Sequence, residues 1–157
     1  MAQEVNPKRL RRLQANLARL HLGWVEAVTS IEQSSNPSIE QSNNRTIEQF
    51  DRVLVDAPCS NTGVLRRRPD ARWRWDMEHL KQLTDLQRQI LEAASAHVAP
   101  GGLLVYSTCS NEPEENADQI AAFLAAHPDF AEVKRYESVP FESGHDGAFA
   151  CALARKA

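Results

Sequence analysis

The chain of 157 residues has few of the features that mark secreted, membrane-bound or metal-binding proteins. Its three cysteines, Cys59, Cys109 and Cys151, are too few and too odd in number for the disulfide framework of a small secreted domain. The first residues lack the apolar segment of a signal peptide, and no apolar run is long enough to cross a bilayer. Neither a Cys-x-x-Cys nor a His-x-x-x-His pair is present, so no metal site is predicted. These absences predict a cytoplasmic protein with no membrane partner.

The sequence also lacks an excess of positive charge. Its formal net charge is -3, which excludes a general polyelectrolyte attraction to nucleic acid. Basic residues instead concentrate in one loop that also contains Trp73 and Trp75. There Arg66, Arg67 and Arg72 could bind phosphate oxygens while a tryptophan stacks on a base. The alternative is a solvated loop whose tryptophans pack on the core.

Two apolar stretches each end in a turn that carries a cysteine. Val53–Val55 predicts a short strand buried on both faces, followed by Asp56 and Cys59. Residues 102–108 predict a second strand, which delivers Cys109. Strands that follow each other across one crossover helix usually lie side by side, about 4.8 Å apart. We therefore expect both thiols at the carboxyl edge of one sheet, where ligands bind in open α/β folds.

Apolar spacing predicts three helices. One covers residues 6–20, with Asn6 as its cap and Gly23 as its stop. The crossover helix covers residues 76–98, with Asp76 as its cap, a break near Thr84 and the Pro-Gly-Gly segment at residues 100–102 as its stop. The third begins just after Cys109, with Glu114 and Glu115 in its first turn. The alternation of helices and strands argues for an α/β fold with a mostly parallel sheet.

Residues 30–49 contain three copies of a unit that reads Ser/Thr-Ile-Glu-Gln. The units are polar and each offers a single isoleucine to a core. This composition predicts a low-complexity insertion of about residues 30–49 within one domain that spans residues 1–157.

The residues alone allow several roles for the thiols. A thiolate attacks electron-poor carbons, and the positive end of the helix predicted after Cys109 would favour that form. Asp56 could act as an acid, a base or a hydrogen-bond partner for a heterocycle, while Pro58 restrains the backbone beside it. Alternatively each cysteine is a small buried apolar residue, or the pair forms a disulfide switch.

A family resemblance narrows these alternatives. Residues 56–63, Asp-Ala-Pro-Cys-Ser-Asn-Thr-Gly, resemble a motif of the RNA cytosine-C5 methyltransferases, the Sun/RsmB/NSUN family, and differ from it by Asn61 in place of glycine. Residues 106–110, Tyr-Ser-Thr-Cys-Ser, followed by Glu-Glu-Asn at 114–116, are similar to its second cysteine motif. The resemblance runs from about Glu4 to the C-terminus, apart from the repeats.

The resemblance implies a mechanism. Cys109 would attack C6 of a cytosine in rRNA or tRNA and form a covalent adduct, which makes C5 nucleophilic enough to accept a methyl group. Asp56 would contact N3 of the base, and Cys59 would assist release of the product. Arg66, Arg67 and Arg72 would bind the RNA. Two alternative functions stay open: an inactive or RNA-binding fragment, and a thiol-based redox or interaction module.

The resemblance also implies S-adenosylmethionine as cofactor, with contacts from Glu4, Asp56 and Pro58. The implied fold is a Rossmann-like class I methyltransferase sheet with helices on both faces. The first strand and the Gly-rich cofactor loop of that fold have no counterpart among the 157 residues. The expectation is therefore the C-terminal part of a catalytic domain, whose N-terminal half another polypeptide could supply.

Overall fold

The computed structural model describes residues 1–29 and 48–157, so the predicted insertion lies almost wholly outside the described residues. The described chain divides into two units, Met1–Glu48 and Gln49–Ala157. The strands are β1 Ala2–Gln3, β2 Ala27–Val28, β3 Phe50–Asp56, β4 Val98–Thr108, β5 Phe130–Ser138 and β6 Ala148–Arg155. The α-helices are α1 Pro7–Arg19, α2 Met77–Ser95, α3 Ala117–Ala126 and the short α4 Pro140–Ser143. No helix in these two ranges is long and apolar enough to span a membrane.

The first unit is a small β–α–β arrangement. β1 and β2 pair in parallel, and α1 lies between them in the sequence. Asn6 caps α1, because its side chain accepts hydrogen bonds from the backbone N–H groups of Lys8 and Arg9 at 3.0 and 3.3 Å. The predicted helix and its cap are therefore confirmed. The helix stops at Arg19, four residues before the predicted Gly23.

The second unit is built on a four-stranded sheet in the order β3-β4-β6-β5. β3 and β4 are parallel neighbours, with Asp56 opposite Ser107. β6 runs antiparallel to both β4 and β5, so β3, β4 and β5 share one direction and β6 alone in this sheet departs from the expected mostly parallel arrangement. β6 reverses because nine residues connect it to β5, too few for the crossover that parallel strands need.

Helices α2 and α3 contact each other and pack on the sheet. Between them lies one core, in which Leu104, Tyr106, Cys151 and Leu153 are fully buried. Cys151 is thus a core residue. By contrast, Leu54 is 70% exposed while Val55 is 7% exposed. The prediction that β3 is buried on both faces is wrong, because only the face that carries Val53 and Val55 packs against the core, while Leu54 lies on the other face.

Three predicted boundaries need correction. α2 continues through Thr84 without a break, and Asp76 caps it by accepting a hydrogen bond from the His79 N–H at 2.7 Å. The Pro-Gly-Gly segment at residues 100–102 lies inside β4, where an irregularity in the pairing with β3 accommodates it. Finally, Pro113–Glu115 forms a separate 3-10 turn, so α3 begins only at Ala117.

Candidate functional site

The turns that follow β3 and β4 bring the two cysteines into contact. The parallel pairing continues past the strand ends, since the Ala57 N–H donates to the carbonyl of Ser107 at 2.9 Å. Cys59 Sγ and Cys109 Sγ then lie 3.4 Å apart, and both side chains are partly buried. The predicted meeting of the thiols at the carboxyl edge of the sheet is confirmed.

The contact divides the two thiols into a proton donor and an acceptor. The hydrogen bond with Cys109 raises the pKa of Cys59, and burial raises it further. The same bond lowers the pKa of Cys109 to about 7. The pair therefore loses its first proton near neutrality and keeps the second. Cys109 carries the negative charge because a neighbouring thiol donates to it, whereas the predicted cause, a helix beginning just after Cys109, is wrong: α3 begins at Ala117.

Two more of the predicted site residues lie beside the thiols. Asp56 ends β3 and is exposed, and its Oδ1 lies 3.4 Å from the Ser107 hydroxyl. Pro58 follows, and its carbonyl accepts a hydrogen bond from the Gln87 side chain of α2 at 2.8 Å. This bond holds the first cysteine turn against the helix. A carboxylate that faces solvent next to an ionisable thiol is available to a ligand.

A buried carboxylate supports this turn from below. Glu115 is 0% exposed, and its Oε1 accepts hydrogen bonds from the Ser60 N–H and the Gln87 side chain, each at 2.9 Å. Its Oε2 accepts the Ser60 hydroxyl. The Tyr106 hydroxyl donates to the backbone carbonyl of Glu115 at 2.8 Å. The residue thus connects both cysteine segments, although the sequence suggested for it only a place in the first turn of a helix.

Close backbone packing joins a third segment to the site. The Gly63 N–H donates to the Cys109 carbonyl at 3.1 Å, and the Gly147 N–H donates to the Gly63 carbonyl at 2.8 Å. A Cβ atom at Gly63 would lie 2.6 Å from the Gly147 carbonyl oxygen and 2.9 Å from that of Cys109. Position 63 therefore requires glycine, because the Cβ atom of any other residue would collide with these carbonyl oxygens and push the three segments apart.

Cys59 borders an open groove with a polar lining. Its volume is about 620 Å³. The lining residues are Cys59, Ser60, Asn61, Arg74, Asp76, Glu78, His79 and Gln82. The groove gives a polar ligand access to Cys59, and the arrangement as a whole presents a thiolate, a thiol and a carboxylate to that ligand.

The basic loop forms a 3-10 turn over Pro69–Arg74. Arg66 and Arg67 approach Asp146 at 3.7 and 2.7 Å, yet their side chains are 65% and 73% exposed. Arg72 forms no ion pair within residues 1–29 and 48–157. Trp73 is 83% exposed, so the alternative in which it packs on the core is wrong. The loop therefore presents a guanidinium surface and one indole to solvent.

Glu4 belongs to the first unit. It follows β1, where its N–H donates to the Val28 carbonyl at 3.0 Å. Its carboxylate accepts a hydrogen bond from the Asn6 N–H at 2.8 Å. The second unit contains the other candidate residues.

The family model for the 16S rRNA methyltransferases RsmB/F matches residues 1–150. The ribosomal RNA small subunit methyltransferase B of Cronobacter sakazakii is 38% identical over 163 aligned positions, which cover 99% of this chain and 36% of that protein. The Klebsiella pneumoniae protein of the same name is 46% identical over 129 positions, which cover 82% of this chain and 28% of its own. The chain thus spans about a third of the length of these curated relatives.

Solved structures share the fold. The crystal structure of PH0851 is 31% identical and superposes with a TM-score of 0.84 over 97% of this chain and 36% of its own. NSun6 from Pyrococcus horikoshii is 24% identical, with a TM-score of 0.79 over 98% of this chain and 40% of its own. The Rossmann-like methyltransferase fold expected from the sequence is confirmed by these similarities.

Proposed function

Because the chain belongs to the RsmB/F family of 16S rRNA methyltransferases, we propose that it is part of the catalytic domain of an enzyme that methylates C5 of cytosine in RNA. The donor is S-adenosylmethionine, which supplies an electrophilic methyl group when bound. The observation that carries the proposal is the 3.4 Å contact between Cys59 and Cys109 at the strand edge that also holds Asp56. Cytosine-C5 chemistry needs a nucleophile and a group that assists its departure, and two thiols of opposite proton affinity suit those tasks.

Cys109 is the nucleophile in this proposal. With a pKa lowered to about 7 by the hydrogen bond from Cys59, roughly half of it is thiolate at neutral pH. The thiolate forms a bond to C6 of the cytosine, and the electron pair of the C5–C6 double bond then makes C5 nucleophilic. Asp56, in its protonated form, donates a hydrogen bond to N3 of the ring and so offsets the negative charge that develops there. The base must leave its stack to reach this edge.

Cys59 assists release. After C5 has accepted the methyl group, a solvent water takes the C5 proton, the C–H electron pair restores the C5–C6 double bond, and the bond between sulfur and C6 breaks. The departing Cys109 sulfur takes both bonding electrons, and a hydrogen bond from the Cys59 S–H stabilises that charge. The 3.4 Å contact supplies this bond without any rearrangement.

The chemistry of the donor groups fits the cofactor. Glu4 follows β1 and Asp56 ends β3, so each carboxylate lies at the carboxyl end of a parallel strand. This type of group at this place suits ribose hydroxyls and a cationic sulfonium. Pro58 restrains the turn that follows Asp56. The Gly-rich loop of the family is not among these residues, and we propose that a further stretch of polypeptide provides it.

The RNA substrate would contact the basic loop. Arg66 and Arg67 keep most of their surface exposed while paired with Asp146, so they can approach phosphate oxygens. Arg72 adds a guanidinium, and the exposed Trp73 offers a face for a base.

RNA that contains 5-azacytidine tests the function. Nitrogen replaces C5–H in this base, so the adduct cannot eliminate and stays covalent. The full chain should form a complex with this RNA that survives denaturing electrophoresis, and Cys109→Ala should form none. With RNA of normal cytosine, Cys59→Ala should accumulate a complex that the wild type resolves. An adduct of undiminished yield in Cys109→Ala would refute the proposal.

A second candidate is an RNA-binding fragment without catalysis. The exposed Trp73 and the arginines around it favour this candidate. The same experiment separates the two, because a pure binding fragment shifts RNA in a native gel and forms no covalent complex.

A further inference from the structure

Asn61 occupies a position where the resembling motif has glycine, and its backbone explains part of the exchange. Its φ and ψ are 64° and 25°, in the left-handed region that glycine adopts freely and that asparagine tolerates better than most residues. Glycine would therefore satisfy the turn. Asparagine adds a side chain, and that side chain makes two specific contacts.

The Asn61 amide bridges the two cysteine turns. Its Nδ2 donates to the Cys59 carbonyl at 2.8 Å, and its Oδ1 accepts the Cys109 S–H at 3.2 Å. The first bond determines the orientation of the amide, since the reverse orientation would set Oδ1 against a carbonyl oxygen. The oxygen is thereby presented to the Cys109 sulfur.

The Cys109 sulfur thus has two partners that respond to its charge in opposite ways. Asn61 Oδ1 can bind only the protonated thiol, because an amide oxygen and a thiolate repel each other. Cys59 can donate to the thiolate. On deprotonation the bond to Asn61 is lost and the bond from Cys59 strengthens, so the balance between the two contacts governs how readily Cys109 ionises.

We propose that Asn61 is a positioning residue that restrains the protonated Cys109 side chain and ties its turn to that of Cys59. Its effect on RNA methylation rests on the proposed function, but the contacts themselves do not. Asn61 also lines the groove next to Cys59. It therefore lies between the nucleophile and the space through which a ligand arrives.

The test compares the pH dependence of Cys109 alkylation by iodoacetamide in the full chain. Asn61→Gly keeps the left-handed turn and removes the amide. We expect its midpoint to move down by about half a unit to one unit, the value of one neutral hydrogen bond. Asn61→Asp keeps an acceptor and adds a negative charge, so its midpoint should move up. A merely structural role would alter rates in both variants without moving the midpoints in opposite directions.

His21→Gly is the matched control. His21 also has a positive φ, 56°, but lies in the first unit and should leave the midpoint unchanged. An unchanged midpoint in Asn61→Gly, with wild-type circular dichroism, would overturn the proposal. Alkylation needs neither RNA nor cofactor. If the midpoints shift but the wild type forms no adduct with 5-azacytidine RNA, the positioning role stands and the proposed function fails. If the wild type forms the adduct but the midpoints do not shift, the proposed function stands and the positioning role fails.

Discussion

Replacement of Cys59 by alanine removes the donor that stabilises the Cys109 thiolate. The hydrogen bond from Cys59 is the largest cause of the lowered Cys109 pKa. Without it, the pKa of Cys109 should return towards its ordinary value, which is 9.0. Cys59→Ser keeps an O–H donor at the same place, so its pKa should stay closer to that of the wild type.

The size of the effect follows from these two values. At pH 7 a thiol with a pKa of about 7 is half ionised, whereas an ordinary thiol is ionised to about 1%. The thiolate fraction thus falls roughly 50-fold in Cys59→Ala. Each remaining thiolate is more nucleophilic by about 6- to 10-fold, because nucleophilicity rises with pKa. We therefore expect alkylation of Cys109 to slow by about 5- to 8-fold at pH 7 and to exceed the wild-type rate above about pH 8.

The assay follows iodoacetamide modification of Cys109 by mass spectrometry from pH 5.5 to 10. Peptide mapping separates modification of Cys109 from that of Cys59 and of Cys151, whose pKa burial raises to about 11. The rate in the wild type should level off above pH 8, while that of Cys59→Ala should still rise. Coincident profiles for Cys59→Ala and the wild type would refute the donor role of Cys59.

Three further variants test the framework of the site. Gly63→Ala places a Cβ within 3 Å of two backbone carbonyl oxygens, so urea unfolding should show a loss of about 1–3 kcal/mol; Gly23→Ala, with open space around it, should be nearly neutral. Glu115→Ala leaves buried donors without an acceptor and should cost about 2–4 kcal/mol of unfolding free energy. Glu115→Gln can still accept and should cost at most about 1 kcal/mol; equal losses would contradict the network. Trp73→Ala should weaken RNA binding by about 1–3 kcal/mol in a filter assay, whereas the equally exposed Trp24→Ala should not.

The sequence predicted the meeting of the two thiols because that feature depends on general rules. Parallel strands joined by one crossover helix are neighbours, and their carboxyl ends lie at one edge. Asn6 and Asp76 were recognisable as caps for a similar reason, since a cap needs only a side-chain oxygen next to the first turn. These predictions required no knowledge of what lies across the core.

Features that depend on distant partners were not predictable. The exposure of Leu54 shows that only one face of β3 packs against the core, which the apolar run at residues 53–55 does not encode. The extension of β4 back to Val98 depends on its pairing with Phe50. A Pro-Gly-Gly segment taken alone favours a helix stop, and it is the partner strand that makes it part of a strand.

Glu115 illustrates the same limit within the site. A glutamate after a proline usually indicates the exposed first turn of a helix. Here it is fully buried, with donors that come from Ser60 in one turn and Gln87 in α2. No local signal identifies a carboxylate that is satisfied by groups 28 and 55 positions away. The Glu-Glu-Asn motif at residues 114–116 marked the segment as similar to the family, but it assigned no role to Glu115.

The difference between the two thiols is also a property of the assembled site. Both cysteines follow a strand and a polar turn, so local sequence treats them alike. The structure distinguishes them through their supports. The turn of Cys59 is held by Gln87 at Pro58 and by Glu115 at Ser60, and the hydrogen bond with Cys109 and burial both raise the pKa of the Cys59 thiol. The Cys109 sulfur instead faces a donor, the Cys59 S–H, and this bond lowers its pKa. This asymmetry supports Cys109 as the attacking sulfur and Cys59 as its proton-bearing partner independently of the family motif, and it explains why exchanging either residue for alanine should give opposite adduct phenotypes.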